Sequence, residues 1–327
     1  MTHRNHLGKP PMPSASPALS RRALLGGLAS SSTAVGLGLA TAAPAAQAQK
    51  LATKAHIVIA GSGLGGIAIA HRLGNLLDGA KITLIDAKET HNYQPGYTLV
   101  ASGVWPVEKV IDSNAELQPA GVQWVKDMVA EFDPVANAVV TRSGQRIAYD
   151  YLVVAVGTHQ DWTQIEGMDV QAIGRNGLAS VYPSPDAAVA TWKAMDSFRQ
   201  KGGQAVMTLP ATALKCAGAP LKMTFMVRDR LALAGTLGAS SVQFYSALNN
   251  VFSVKSVNDA VLARWQTLGI GLHTTQKLQA IDIGARQAYF VNPEGARIPL
   301  GAKLRLVRER PDWRLVTRGS LARYETV

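Results

Sequence analysis

The run Gly61-Ser62-Gly63-Leu64-Gly65-Gly66 constrains this chain more than any other feature, because G-x-G-x-x-G falls directly between a strand-like and a helix-like segment. Residues 55–60 (AHIVIA) are short, apolar and without polar alternation, the pattern of a parallel strand covered on both faces. Residues 67–77 read as a helix and residues 81–86 (KITLID) as a second buried strand, which completes one βαβ unit. Gly61 permits a tight turn, Gly63 lets the backbone approach a pyrophosphate, and Gly66 allows close packing of helix on strand. The diphosphate would then rest on free N–H groups at the positive end of the helix. Asp86 lies 20 residues after Gly66, at the end of the second strand, where its carboxylate can accept from a ribose hydroxyl.

The fingerprint alone does not separate FAD from NAD. A second signal, Tyr149-Asp150-Tyr151-Leu152-Val153-Val154-Ala155-Val156-Gly157, is an apolar strand that ends in a small residue and glycine. FAD-binding domains of the two-dinucleotide type return to the cofactor with such a strand. Weaker strands are expected at residues 122–125 and 138–141, the latter joined through Ser143-Gly144 to residues 146–149 as a hairpin. A helix at 187–200 and strands at 204–208, 242–245, 271–274 and 287–291 make a second α/β segment. Where a nicotinamide site would show another glycine triplet, Leu209-Pro210-Ala211-Thr212 follows, and proline with bulkier residues blocks the approach of a diphosphate.

The fold expected is therefore α/β, with two Rossmann-like domains. Residues 1–48 read as a twin-arginine-type signal peptide, 49–165 as the FAD-binding domain, 166–300 as a nicotinamide-domain-like α/β domain, and 301–327 as an aberrant or disordered tail. The signal reading rests on Ser20-Arg21-Arg22-Ala23-Leu24-Leu25, an uncharged Ala/Gly/Ser stretch, and an Ala46-Gln47-Ala48 cleavage pattern. Ser31, Ser32, Thr33 and glycines dilute that stretch below what a membrane span needs. The expected destination is the periplasm, at or near the inner membrane. Net charge is +11, but the first 50 residues hold +5 of it and the last 27 hold +4, leaving +2 for residues 51–300. A nearly neutral folded middle removes the main support for nucleic-acid binding.

The chain has one cysteine, Cys216, so no disulfide can form within it. It lies in Lys215-Cys216-Ala217-Gly218-Ala219-Pro220, beside a cation and a helix start, both of which stabilise a reactive thiolate. The residues alone leave open a second reading, a buried thiol filling apolar space.

Taken together, His91-Asn92-Tyr93-Gln94-Pro95, Gly157, Trp192-Lys193-Ala194 and residues 212–222 (TALKCAGAPLK) resemble the sulfide:quinone oxidoreductase family, from about Lys54 to Leu300. The resemblance implies that Cys216 is a redox thiol. It implies FAD held by Gly61, Ser62, Gly63 and Gly66, with Asp86 on the adenosine ribose, the backbone of Val129 on the adenine, and the loop around Gln94 near the flavin. It implies oxidation of sulfide on a cysteine pair, of which Cys216 matches one member, with electrons leaving to a quinone. In the related flavoprotein subunit of flavocytochrome c sulfide dehydrogenase the acceptor is a cytochrome c. The matching loop here has no cysteine for a covalent flavin link, so FAD is expected to bind non-covalently. The family's later strand, second cysteine and amphipathic membrane region have no counterpart in this chain, so peripheral membrane association is expected only of longer members. Residues 301–327 are accordingly expected to be out-of-frame or truncated sequence, one face of the FAD domain to be left apolar and exposed, and a non-catalytic FAD-binding remnant is the third reading.

Overall fold

The computed structural model describes residues 50–212, 214–299, 314–318 and 322–323. The proposed signal at 1–48 and most of the expected tail at 301–327 lie outside the described residues.

The first sheet is the one the glycine fingerprint requires. Four parallel strands lie in the order Tyr151–Val154, His56–Ala60, Lys81–Ile85, Gln123–Val125. Val58, Ile59, Ala60 and Leu84 are fully buried, since the sheet is covered on both faces. On one face packs the helix Leu64–Leu76, through Ala70, Ile69 and Leu73, in a core with Ile57, Ile59, Ile82 and Leu84. The other face is covered by the antiparallel meander Val129–Asp133, Ala138–Thr141, Arg146–Ala148, whose Val139 and Ile147 pack on Val58 and Ile85. Tyr151–Val154 forms one edge of the sheet, and Tyr151, Val154 and Val156 are exposed.

A second parallel sheet has the order Leu178–Ser180, Arg314–Arg318, Gly203–Leu209, Ser240–Ser246, Gly271–His273. The helices Pro185–Lys201, Gly218–Leu233 and Lys255–Leu268 accompany it. Trp265, Phe244, Met195, Met207 and Leu231 form the centre of its core. A second meander, Lys277–Asp282, Gln287–Val291, Arg297–Pro299, follows.

Two features depart from the sequence expectation. The arginine-rich stretch after Gly301 has no strand period, yet Arg314–Arg318 lies between two strands of the second sheet and pairs in parallel with both. A strand flanked on each side gains two ladders of backbone hydrogen bonds, which do not depend on side-chain alternation. In addition, Tyr97, Val100, Ala101 and Val110, all within residues 49–165, are buried in the core of the second sheet. The segment that follows His91-Asn92-Tyr93-Gln94-Pro95 thus physically joins the two halves.

Candidate active site

The first strand ends at Ala60 and the chain turns at Gly61, whose φ of +105° is a conformation that side chains rarely adopt. A Cβ there would also strike the Ala155 carbonyl. Gly66 faces back onto the turn, so a Cβ on it would collide with the Gly61 carbonyl oxygen and approach Ile59 at 3.4 Å. Gly63 is different. Its φ is −68° and an added Cβ would meet nothing within 4 Å, so the protein itself has no need of glycine there. The first backbone bond of the helix runs from Ile67 N–H to the Gly63 carbonyl at 3.0 Å, which leaves the preceding N–H groups without intrahelical partners. Gly157, at φ +80°, likewise opens on free space.

Asp86 sits at the end of the neighbouring strand and closes the turn. Its Oδ2 accepts from the Ser62 N–H at 2.7 Å, its Oδ1 from the Lys88 N–H at 2.8 Å, and its carbonyl from the Trp124 indole at 2.8 Å. Ser62 is itself buried, and its hydroxyl accepts from Asn114 Nδ2 at 2.8 Å. Gly61, Ser62, Gly63, Gly66, Asp86 and Gly157 are therefore brought to one end of the first sheet. Val129 opens the first meander strand opposite Thr141, beside an irregularity in the ladder, and packs on the same core as Val58 and Ile85.

A second cluster is built around Cys216. The thiol is exposed, two residues before the helix Gly218–Leu233 begins, so it is not apolar filler. Lys215 Nζ donates to Gln94 Oε1, and Lys222 Nζ, within the helix Gly218–Leu233, donates to the Pro95 carbonyl at 3.2 Å. Two lysines from the cysteine segment thereby hold the loop of residues 94–96. Neighbours crowd the Lys215 ammonium and push its pKa down, an effect partly opposed by the Cys216 sulfur. Tyr182 is held above the usual phenol range by burial first and by Cys216 second. Tyr97, stacked on Tyr182 with ring centroids 6.1 Å apart, is pushed up to about 12 by burial and by Asp186. Both phenols stay neutral at physiological pH, so they can donate hydrogen bonds but carry no charge.

Sequence reasoning missed Asn114 and Tyr182. Neither belongs to a motif, and only the fold carries them to Ser62 and Cys216. At the end of Gly203–Leu209, a small crevice is lined by Ile165, Leu209, Pro210 and Leu278, with proline and larger side chains where a nicotinamide diphosphate would need glycine backbone.

The glycine cradle, the open space over Gly63 and Gly157, and the acid at the strand end fit FAD: a dinucleotide needs unhindered backbone amides for its diphosphate and an acceptor for its ribose. Residues 55–202 match the family described as pyridine nucleotide-disulphide oxidoreductase. The chain is 32% identical to the mitochondrial sulfide:quinone oxidoreductase of Dictyostelium discoideum over 248 residues, covering 76% of this chain and 54% of that protein. It is 34% identical to the mouse mitochondrial enzyme over 205 residues, covering 63% of this chain and 45% of that one. Among solved structures, the sulfide:quinone oxidoreductase of Aquifex aeolicus superposes with a TM-score of 0.66 at 21% identity, covering 81% of this chain and 58% of that chain, which establishes the shared fold. The chain spans about half the length of the curated relatives it matches.

Proposed function

Because the chain belongs to the sulfide:quinone oxidoreductase-related flavoproteins, we propose that it binds FAD non-covalently and oxidises sulfide at Cys216, with a quinone as the final electron acceptor. The observation that carries this reading is the placement of Cys216. It is a solvent-accessible thiol at a helix start, in a segment whose Lys215 and Lys222 grip the loop carrying Gln94.

FAD, when bound, would supply the acceptor for the two electrons released at Cys216. Gly61, Ser62, Gly63 and Gly66 hold its diphosphate, Asp86 its ribose, and Val129 the adenine through its backbone. Gly157 and the loop at Gln94 border its flavin side. At Cys216 the chemistry balances as a thiolate plus hydrosulfide giving a persulfide, one proton and two electrons, and the quinone takes up two electrons and two protons as a quinol. Lys215 contributes positive charge beside a thiolate that must meet an anionic substrate, and a local cation favours both. The run Leu209-Pro210-Ala211-Thr212, which stands where a second glycine triplet would serve a nicotinamide diphosphate, favours sulfide over a nicotinamide as the source of electrons.

The test is the anaerobic visible spectrum of the purified protein before and after sulfide, with Cys216→Ser as control. Flavin bands that bleach in the wild type and persist in Cys216→Ser support the reading. Bands that bleach equally in both exclude Cys216, and bands unmoved in both leave a flavin-binding remnant. Cytochrome c replacing quinone as the faster oxidant of the bleached protein would favour the flavocytochrome reading. We place the protein in the periplasm through a twin-arginine signal at residues 1–48, with residues 49–165 and 166–300 as its two domains. Replacing Arg21 and Arg22 by lysine blocks export to the periplasmic fraction if this is right.

A further inference from the structure

Asn114 is one of the most deeply buried polar residues described, at 1% exposure, and it lies 52 positions from Ser62 in sequence. Its backbone N–H donates to the Glu89 carbonyl at 2.9 Å. Its side chain meets three further groups: Ser62 Oγ at 2.8 Å, the Lys88 carbonyl at 2.8 Å and His91 Nδ1 at 3.2 Å. The orientation of the amide is fixed by chemistry, because the Lys88 carbonyl can only accept and must therefore face Nδ2. Both Nδ2 hydrogens are then used, one on Lys88 and one on Ser62. Oδ1 can only accept, so His91 carries its proton on Nδ1. Every bonding position of the amide nitrogen is filled, and each partner lies on a different part of the dinucleotide site. Ser62 belongs to the glycine turn, Lys88 follows Asp86 by two residues, and His91 opens the segment that leads to Gln94. The Ser62 amide is itself tied to Asp86 at 2.7 Å, so the turn and the acid are cross-linked twice, once directly and once through Asn114.

From this arrangement we infer that Asn114 is a positioning residue for FAD: it holds the glycine turn, the Asp86 loop and the start of the 91–97 segment in the one relative placement that fits the cofactor. This rests on the FAD-binding reading above. Asparagine is required because the hub needs two donors and one acceptor on one small planar group. Aspartate keeps the shape but turns an acceptor oxygen toward the Lys88 carbonyl, which is left buried without a donor, and forces the Ser62 hydroxyl to reverse from acceptor to donor.

The experiment measures the FAD dissociation constant by flavin fluorescence quenching and, in parallel, the cofactor-free unfolding midpoint. The proteins are wild type, Asn114→Asp, Ser62→Ala and the double variant. Thr191→Val serves as a reference, because it deletes a comparably buried hydroxyl that bridges Ser180 N–H and C=O at 3.0 and 2.9 Å in the second sheet. Asn114→Asp should weaken FAD by about ten-fold or more, on the scale of a lost buried hydrogen bond. Ser62→Ala should weaken it less, and the double variant should fall short of the product of the two losses, since both substitutions act on one shared contact. Thr191→Val should lower the midpoint with FAD affinity unchanged. Equal FAD affinity in wild type and Asn114→Asp overturns the inference, as does an affinity loss in Thr191→Val matching that of Asn114→Asp at a similar midpoint. Should Asn114→Asp not fold, an unchanged affinity in Ser62→Ala overturns it. Failure of the wild type to bind FAD at all refutes the parent reading itself, and is recognised because no protein in the series then quenches flavin.

Discussion

The second and third glycines of the fingerprint, Gly63 and Gly66, make opposite demands, and substituting each by alanine separates cofactor binding from folding. At Gly63 the backbone conformation suits alanine and an added methyl meets nothing within 4 Å. Replacing glycine at such a position lowers the entropy of the unfolded chain by about 0.4–1 kcal/mol, and alanine's poorer performance as a helix N-cap offsets an amount of similar size. The unfolding midpoint of cofactor-free Gly63→Ala should stay within about 3 °C of wild type, given roughly 2–4 °C per kcal/mol for a protein of this size. The same methyl stands where a diphosphate must touch the backbone. Loss of two charge-assisted hydrogen bonds at about 1.5–3 kcal/mol each weakens FAD by roughly 10²- to 10⁴-fold. At Gly66 the methyl runs into the Gly61 carbonyl, which cannot move without unmaking the turn. Overpacking of that kind costs about 1–3 kcal/mol, so Gly66→Ala should lower the midpoint by about 5 °C as well as weakening FAD. Differential scanning calorimetry and flavin titration on both variants give the answer. Wild-type FAD affinity in Gly63→Ala would refute the assignment of this turn to a diphosphate.

Three further outcomes follow from the same structure. Trp265 is 1% exposed and touches Phe225 and Phe244, so Trp265→Ala should cost about 3–5 kcal/mol and drop the midpoint by about 10 °C. Its buried indole N–H has no partner among the described residues, so Trp265→Phe, which removes that group, should cost far less. His273, stacked on Tyr245 at 4.2 Å, has its pKa lowered by burial, and His56 is lowered by burial and by Lys81. A histidine with a depressed folded pKa binds fewer protons folded than unfolded. Its contribution is complete above pH 6.5 and is lost as pH falls through 6.5 toward the folded value. Urea midpoints should therefore decline between pH 7.5 and 5.5, and His273→Gln should flatten part of that decline; a slope unchanged in His273→Gln would remove His273 from the account.

Much of the first sheet was legible because a parallel strand covered on both faces is predominantly apolar, as residues 57–60 are and as residues 82–85 are apart from Thr83. The glycine roles at Gly61 and Gly66 were legible too, since positive φ and backbone contact admit no other residue. The helices Gly218–Leu233 and Lys255–Leu268 were harder to read because polar and charged residues interrupt their apolar spacing, and the strand Arg314–Arg318 was not legible because its pairing is with backbone on both sides.

The sequence by itself determined the βαβ unit, the dinucleotide turn, the acid that closes it and the thiol that stands alone, because each depends on residue type at short spacing. Only the tertiary structure decided that Cys216 is exposed and not filler, that Lys215 and Lys222 reach the loop at Gln94, that Tyr97 and Val110 belong to the core of the second sheet, and that Asn114 joins three segments of the dinucleotide site. Those contacts link residues from 23 to 127 positions apart, and at such separations what meets what is set by how sheets and helices stack, a property that local patterning does not carry.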